Sequence, residues 1–456
     1  MSDLCFMSID AVAPRLKSGE LSPVELTRAF LDRIHAEDAK LHAFVNLMEE
    51  SALAEAQAAQ KEIQQGHYRG PLHGIPVAVK DQYDAQGAPA RVRVPQPSGA
   101  GEDATAVRRL REAGAVFFGK LNMSGLPGGA PSAKNPWDLE RVPGGSSTGA
   151  GAGIAAGLCM GALGEDTAGS IRNPASFSGI SGLKPTYGRI SRHGLSPLSW
   201  SLDHVGPMTR VVEDLAHILQ ATAGFDSKDP TCGNADVGNY STDLRAGVTD
   251  FVVGIPRDYM NQIETDPEVL ELFDKAVADL QSLGARVEEV SVPCMEFATM
   301  ANGLIYASEF YNVCKADLAE SLKISAESRR ARMFLGAVTS SGDYIQAQRL
   351  RSRLKRELAE VLRKVHVIAM PTNPTSAPLA KDVDGLNTVY KMLGPDFVSP
   401  ANLVGIPALS IPCGFGANGM PVGFQLWARA FGEATVLRAG YAYQEVHRWY
   451  ERRPGE

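Results

Sequence analysis

Glycine is the residue that most constrains this chain. There are 45 glycines among 456 residues, and they crowd between Gly125 and Gly194. A residue without Cβ serves where backbone must turn sharply or pass close to something else. The block therefore predicts tight turns and close approach, and function is expected there.

The remainder of the chain can supply a core around that block. Apolar residues make up 44% and charged residues 21%, a globular balance that excludes general disorder. The formal charge of −7 gives no general pull toward nucleic acid or anionic membranes. At about 150 residues per domain the length admits about three domains, and equally one large α/β domain. Cys5, Cys159, Cys232, Cys294, Cys314 and Cys413 form no C-x-x-C pair and no zinc-like spacing, so reduced thiols in a cytoplasmic protein are expected. The first residues show no basic start followed by an apolar run, and no secretory leader is expected. No stretch reaches the ~18 uninterrupted apolar residues of a membrane span; the longest candidate, Gly151 to Leu163, is broken by glycines.

Local patterns alternate between helix and strand. Ser22-Pro23-Val24-Glu25 is a helix start, with Ser22 as cap, Pro23 in the first position and Glu25 returning to the cap. Leu26, Phe30 and Ile34 then recur on one face. A second helix is expected from Glu49 to Gln65, so residues 1–66 read as a helical segment. Ile75 to Val79 reads as a buried strand ending at Lys80. A helix over 104–113 leads to a strand over 115–118, and a helix-like run over 150–158 precedes a strand-like run over 160–163. Beyond a helix over 211–221, residues 226–246 are polar and turn-rich. A strand over 251–255 is followed by an amphipathic helix started by Asp266-Pro267, with Val269, Leu270, Phe273, Val277 and Leu280 on its apolar face. A strand-like run over 287–290 comes next. Residues 295–365 read as mostly helical, and the basic runs Arg329-Arg330 and Arg349 to Lys355 read as solvated faces. Strands over 367–370, 408–411 and 422–426 and a helix over 433–445 complete the pattern, which is that of an α/β protein.

Four stretches place small residues around a serine or lysine: GIPVAVKD at 74–81, VPGGSSTGAGAGIAAG at 142–157, ALGEDTAGSIRNPAS at 162–176 and GISGLKPTYGRISRHG at 179–194. Gly145-Ser146-Ser147-Thr148-Gly149 matches a G-x-S-x-G elbow with Ser147 as nucleophile, but no strand runs into it. His73, His193 and His204 lie near these stretches as possible partners for a serine. The glycines at 149, 151 and 153 have the wrong spacing for a dinucleotide loop, and Gly119-Lys120-Leu121 is no Walker sequence. No H-E-x-x-H occurs, so no metal and no cofactor is expected. A lysine base remains. If Lys80 is buried, desolvation favours its neutral amine, which can take a proton from a hydroxyl. A lone lysine at a strand end is otherwise an ordinary surface charge.

At this point the chain resembles the amidase signature family. The resemblance is densest from Gly74 to Pro207 and returns over 397–426; GGSS, DTAGSIR, GLKPTYGRIS and SLDHVGPM carry it. It implies an amidase-signature α/β fold, with a central mixed twisted sheet covered by helices on both faces. It implies one amidase domain over 1–456, with a helical segment 1–66, a signature core 67–225 and a part 226–456 that completes sheet and pocket. It also implies a Ser-Ser-Lys catalytic unit. On the matching positions Ser170 would be the nucleophile, Ser146 the bridging serine after a cis Gly145–Ser146 peptide, and Lys80 the base. A bridging hydroxyl can accept and donate at once, which an ionised carboxylate cannot. Backbone N–H groups of Thr167, Ala168, Gly169 and Ser170 would form the oxyanion hole. Ser147, Asp166, Arg172 and Gly145 would support the site.

The chain departs from the family pattern in places. Ala168 stands where the family usually has glycine, which a methyl group allows only at negative φ. Thr148-Gly149-Ala150 replaces a second Gly-Gly-Ser. The loops over 87–99 and 124–134 differ most, suggesting one open pocket wall and bulkier substrates. Tyr306, Phe334, Met370 and Phe397 are candidate pocket residues.

The resulting expectation is an amidohydrolase that cleaves C–N bonds of small amides, including aryl amides or carbamates, through an acyl-enzyme. It would meet a small-molecule substrate, no nucleic acid and no membrane, as a monomer or homodimer. The alternative is one component, the amidase-like one, of a glutamine-dependent tRNA amidotransferase. A third possibility, an inactive scaffold, conflicts with the retained Lys80, Ser146 and Ser170.

Overall fold

The computed structural model describes residues 4–88, 90, 101–124, 131–383 and 394–455. Eleven strands drawn from across the chain form one sheet: β1 (Phe44–Leu47), β2 (Pro76–Lys80), β3 (Val116–Leu121), β4 (Gly161–Asp166), β5 (Ser181–Lys184), β6 (His204–Thr209), β7 (Val252–Ile255), β8 (Arg286–Glu289), β9 (Val367–Pro371), β10 (Ala408–Phe415) and β11 (Pro421–Trp427). Their order is β1-β3-β2-β4-β6-β5-β10-β11-β9-β7-β8. The sheet is mixed: β3, β2 and β4 run parallel, as do β9, β7 and β8, while the strands between pair antiparallel. Helices pack over it, so the central strands are buried along almost their whole length.

The local signals act as their chemistry dictates. Ser22 and Glu25 form a reciprocal capping box at the start of helix Pro23–Leu41, and Leu26, Phe30 and Ile34 are buried on its inner face. Helices Glu49–Gln64, Thr105–Glu112, Val212–Thr222, Pro267–Ser282 and Glu433–Val446 fall within a few residues of expectation. Asp266 occupies the cap position of its helix, but its side chain makes no capping bond.

Helix Ile9–Ser18, which contains Pro14, lies in the segment read as helical, but β1, four half-buried residues inside that segment, escaped the sequence patterns. The strands β5 (SGLK) and β6 (HVGPMT) lack β-branched runs, and β6 carries Pro207 in its interior. Tertiary burial overrides these weak local preferences.

The glycine block packs as tightly as predicted. Helix Thr148–Ala155 is buried on every side. Glycine in a helix costs roughly 1 kcal/mol against alanine, yet a Cβ at Gly149 would stand 2.3 Å from the Ala43 carbonyl oxygen and 2.5 Å from the Asn122 nitrogen. Backbone approach decides that residue. Gly125, Gly128 and Gly129, like most of the loops at 87–99 and 124–134 on which an open pocket wall was expected, lie outside the described residues.

Candidate active site

Two parallel strands bring the expected residues together. Val79 of β2 lies opposite Leu163 of β4, so both strands deliver their C-terminal ends to the same edge. Lys80 ends β2 fully buried, and Glu165-Asp166 ends β4 fully buried. The chain then turns through Thr167-Ala168-Gly169-Ser170 into helix Arg172–Ser178. Ser146 and Ser147 approach from the start of helix Thr148–Ala155.

Lys80 Nζ donates to Ser146 Oγ at 2.8 Å. The Gly145–Ser146 peptide is cis. The Ser147 N–H donates to the Ser170 carbonyl at 3.2 Å, which lays the serine pair against the turn carrying Ser170. Ser146, Ala168 and Ser170 are half-buried, whereas Lys80 is sealed. The arrangement can therefore meet a substrate at its serine end while keeping its lysine end dry. Ser147 Oγ donates to the Glu165 carbonyl at 3.3 Å and has no histidine beside it. The turn before it contains no strand, which removes the elbow reading of Ser147.

Asp166 and Arg172 organise the turn. The Asp166 carboxylate accepts from the N–H groups of Gly169 at 2.6 Å and Ile171 at 3.1 Å. The Arg172 guanidinium donates to Asp166, to Gln425 at 3.0 Å and to Asn402. Burial pushes the Asp166 carboxyl up, but the Arg172 charge and hydrogen bonds outweigh it and hold the group well below the usual carboxylate range. Because the Gly169 N–H is spent on Asp166, the amides left for an oxyanion are those of Thr167, Ala168 and Ser170, which donate to no acceptor among the described residues. Ala168 does not adopt positive φ, whereas Gly169 does, at +95°.

Two acids of this centre were not singled out from the sequence. Glu165 Oε2 accepts from Lys80 Nζ at 2.8 Å. Thr167 Oγ1 stands 2.5 Å from Glu165 Oε1 and 2.9 Å from Asp203 Oδ1. Burial and then the Glu165 charge push the Asp203 carboxyl up to about 8. The signal for Glu165 was present: two adjacent acids in an otherwise apolar strand imply a buried partner. Asp203 had no such local sign. Tyr306, one of the pocket candidates, is buried and held as the neutral phenol by burial, with Arg332, Arg329, Glu165 and Asp203 all within electrostatic reach. Arg329 was expected on a solvated face but is half-buried over the Phe310 ring, with Tyr306 and Glu165 within electrostatic reach. The run from Arg349 is largely exposed, although Arg351 reaches in to the Ser201 carbonyl. Of the other pocket candidates, Phe334 is 60% exposed, Met370 belongs to β9 and Phe397 is buried, its carbonyl accepting from Gln425.

Of the histidines near the block, His204 sits on β6 with Nδ1 against the Leu202 carbonyl, and burial drives it well below its ordinary value. No group of three or more His, Cys, Asp or Glu that could hold a metal ion occurs among the described residues. No helix among them is long and apolar enough to cross a membrane. A surface cavity of about 410 Å³, lined by Phe6, Arg210, Glu213, Tyr441 and Tyr450 among others, includes none of the residues above.

A large mixed sheet presenting a cis-linked serine, a buried lysine and a half-exposed serine defines an enzyme that cleaves C–N bonds. The chain belongs to the amidase family, whose model matches residues 25–437. It is 38% identical, over 99% of each chain, to the A component of the glutamyl-tRNA(Gln) amidotransferase of Moorella thermoacetica. The structure of the same component from Thermotoga maritima matches 97% of this chain and 95% of its own, with 31% identity and a TM-score of 0.80. A structure described as a vestigial protein complex revealing the evolutionary origins of an s-triazine catabolic enzyme matches with a TM-score of 0.88 and 31% identity, covering 97% of this chain and 99% of its own.

These relatives correct the expected partners. A monomer or homodimer with no link to nucleic acid does not stand beside relatives that are one component of a tRNA-directed enzyme. The expectation of no nucleic acid rested on net charge. A sum of −7 over the chain averages away local surfaces and carries no information about a partner protein.

Proposed function

We propose that this chain is the amide-hydrolysing component of a glutamine-dependent glutamyl-tRNA(Gln) amidotransferase, with Ser170, Ser146 and Lys80 as its catalytic residues. The observation that carries the reading is the 38% identity to the Moorella thermoacetica protein, end to end on both chains. The geometry supports it. Ser170 Oγ attacks the side-chain amide carbon while its proton passes to Ser146 and the Ser146 proton to a neutral Lys80. The N–H groups of Thr167, Ala168 and Ser170 would receive the developing oxyanion. Lys80 returns a proton through Ser146 to the leaving nitrogen, ammonia departs, and water releases the acyl group by the same relay. Glutamine also carries a free carboxylate. The Arg332 guanidinium lies 4.5 Å from the Tyr306 ring centroid, and its Nε is buried with no hydrogen-bond partner among the described residues. That positive group beside the acidic cluster suits such an anion.

The test is ammonia release from glutamine by the purified chain, alone and with its partner proteins, and glutamine-dependent amidation of glutamyl-tRNA(Gln). Ammonia release that rises with partners and charged tRNA supports the reading. Hydrolysis of free amides with no response to either overturns it. A second reading, hydrolysis of a small amide in catabolism, draws on the TM-score of 0.88 to the structure described as bearing on the origins of an s-triazine catabolic enzyme. All six cysteines are buried free thiols, which supports a cytoplasmic location under either reading.

A further inference from the structure

The carboxylate beside Lys80 has no place in a plain serine–serine–lysine relay. We propose that Glu165 is the counter-ion that holds Lys80 as an ammonium at rest and thereby sets the pH above which Lys80 serves as the base. The inference rests on the Ser170–Ser146–Lys80 reading.

Donor counting supports the resting state. An ammonium has three protons to place. Lys80 Nζ has three acceptors: Ser146 Oγ at 2.8 Å, the Glu165 carbonyl at 3.2 Å and Glu165 Oε2 at 2.8 Å. An ammonium would place all three protons on these acceptors and would have no lone pair for the serine proton.

The neighbouring protons are ordered consistently. The Thr167 hydroxyl has one proton but faces two carboxyl groups, Glu165 and Asp203. One carboxyl must therefore be the donor. Asp203, pushed up by burial and by Glu165, is the protonated one at neutral pH. Asp203 then donates to Thr167, Thr167 donates to Glu165, and Glu165 remains the anion facing Lys80.

The surrounding charges favour the same assignment. From helix Glu327–Val338, Arg329 acts on both Tyr306 and Glu165, and Arg332 acts on Tyr306. Tyr83 after β2 and Tyr306 on helix Ala298–Cys314 stay neutral phenols because of burial. Arg192 acts on Asp203. Asp81, next to Lys80, is paired with Lys120 of β3 at 3.4 Å. On the β6 side His204 is kept neutral by burial, and Asp166 is paired with Arg172. A carboxylate held in contact with an ammonium in a dry site favours the charged lysine. Raising the pH removes one Lys80 proton to solvent hydroxide, by way of the half-exposed serines. The amine can then accept the Ser146 proton as Ser146 takes that of Ser170.

The experiment follows the rate at which a fluorophosphonate labels Ser170, from pH 6 to 10. The Ser170 Oγ–P bond forms, fluoride leaves, and no natural substrate is needed. Glu165→Gln keeps the shape and removes the charge. Its rising limb should lie at least one pH unit below that of the unaltered protein, which is about tenfold faster labelling at a fixed pH below both midpoints. Glu165→Asp, which keeps the charge, should restore the alkaline limb. A purely structural role would change folded yield or amplitude and leave the limb in place. A limb unmoved or raised in a folded Glu165→Gln variant overturns the proposal. If the unaltered protein is not labelled at Ser170 at any pH, the triad reading itself falls and takes this inference with it. Should Glu165→Gln not fold, nitrogen NMR of lysine-labelled protein, with Lys80→Met to assign the signal, decides the matter. An ammonium at pH 8 supports the proposal, and an amine at that pH overturns it.

Discussion

Arg172 and Asp166 form a solvent-free ion pair at 3.1 Å, and the same carboxylate holds the N–H groups of Gly169 and Ile171. One acid thus anchors the turn on which Ser170 stands, and Arg172 ties it to Gln425 on β11. Removing the cation leaves a buried charge uncompensated, which costs about 3–5 kcal/mol. Arg172→Met should lower the urea midpoint accordingly and lower kcat with it. An Arg172→Met variant of ordinary stability would show that the pair does not brace the loop.

Ser170→Ala should abolish turnover, by about 10³-fold or more in kcat, while leaving the thermal midpoint nearly unchanged. Ser170 is half-buried, and its side chain fills no core position. Paired measurements of ammonia release and melting decide this, and retained turnover removes Ser170 as nucleophile.

Lys80→Met should show two separable effects. Loss of the base lowers kcat by about 10²–10⁴-fold with little change in KM, because proton transfer matters in the transition state. Loss of the ammonium strands Glu165 and lowers stability. Adding Glu165→Gln should recover most of the stability and none of the activity. A double variant as unstable as the single one would mean that Glu165 is not the group left unpaired.

Gly169→Ala should impair both folding and rate. The residue has φ +95°, and a Cβ there would lie 2.7 Å from Val398 Cγ2. Strain of this kind costs about 1–3 kcal/mol and would shift the neighbouring amides of Ala168 and Ser170. Denaturant titration and steady-state rates measure the two effects. A variant with the parent's stability and rate would refute the tight fit.

Asp214 provides a pH test away from the centre. Burial pushes its carboxyl up to about 8, although it accepts the N–H groups of Ile9 and Asp10. The folded protein therefore keeps a proton that the unfolded chain releases near pH 4. Between those values the folded state binds more protons, so stability falls as pH rises, by up to about 1.4 kcal/mol per pH unit for the one group. Asp203, also raised to about 8, adds to the same slope. Asp214→Asn should flatten the dependence of unfolding free energy between pH 5 and 8, and an unchanged slope would count against the buried neutral acid.

Much was legible in the chain before any contact was known. Helix starts such as Ser22-Pro23-Val24-Glu25 and the apolar run ending at Lys80 are local, because capping and periodicity involve residues a few positions apart. Lys80, Ser146 and Ser170 were singled out through resemblance to a family, and the fold brings them to one edge of the sheet. The strands β5 and β6 were not, since glycine and proline hide them and only burial between neighbours makes them strands. The tRNA-linked relatives were foreseen only as an alternative, because the partners of one component leave little trace in its overall composition.

By itself the sequence determined where backbone had to come close, which side chains could exchange protons, and that helix and strand would alternate. Only the tertiary structure decided what faces Lys80. Glu165 is 85 positions away, and Asp203 meets Thr167 across 36. Those pairings exist because the sheet sets β2 beside β4 and β4 beside β6. Strand order is a property of the whole packed core, and it sets an unremarked acid in ALGED 2.8 Å from Lys80 Nζ.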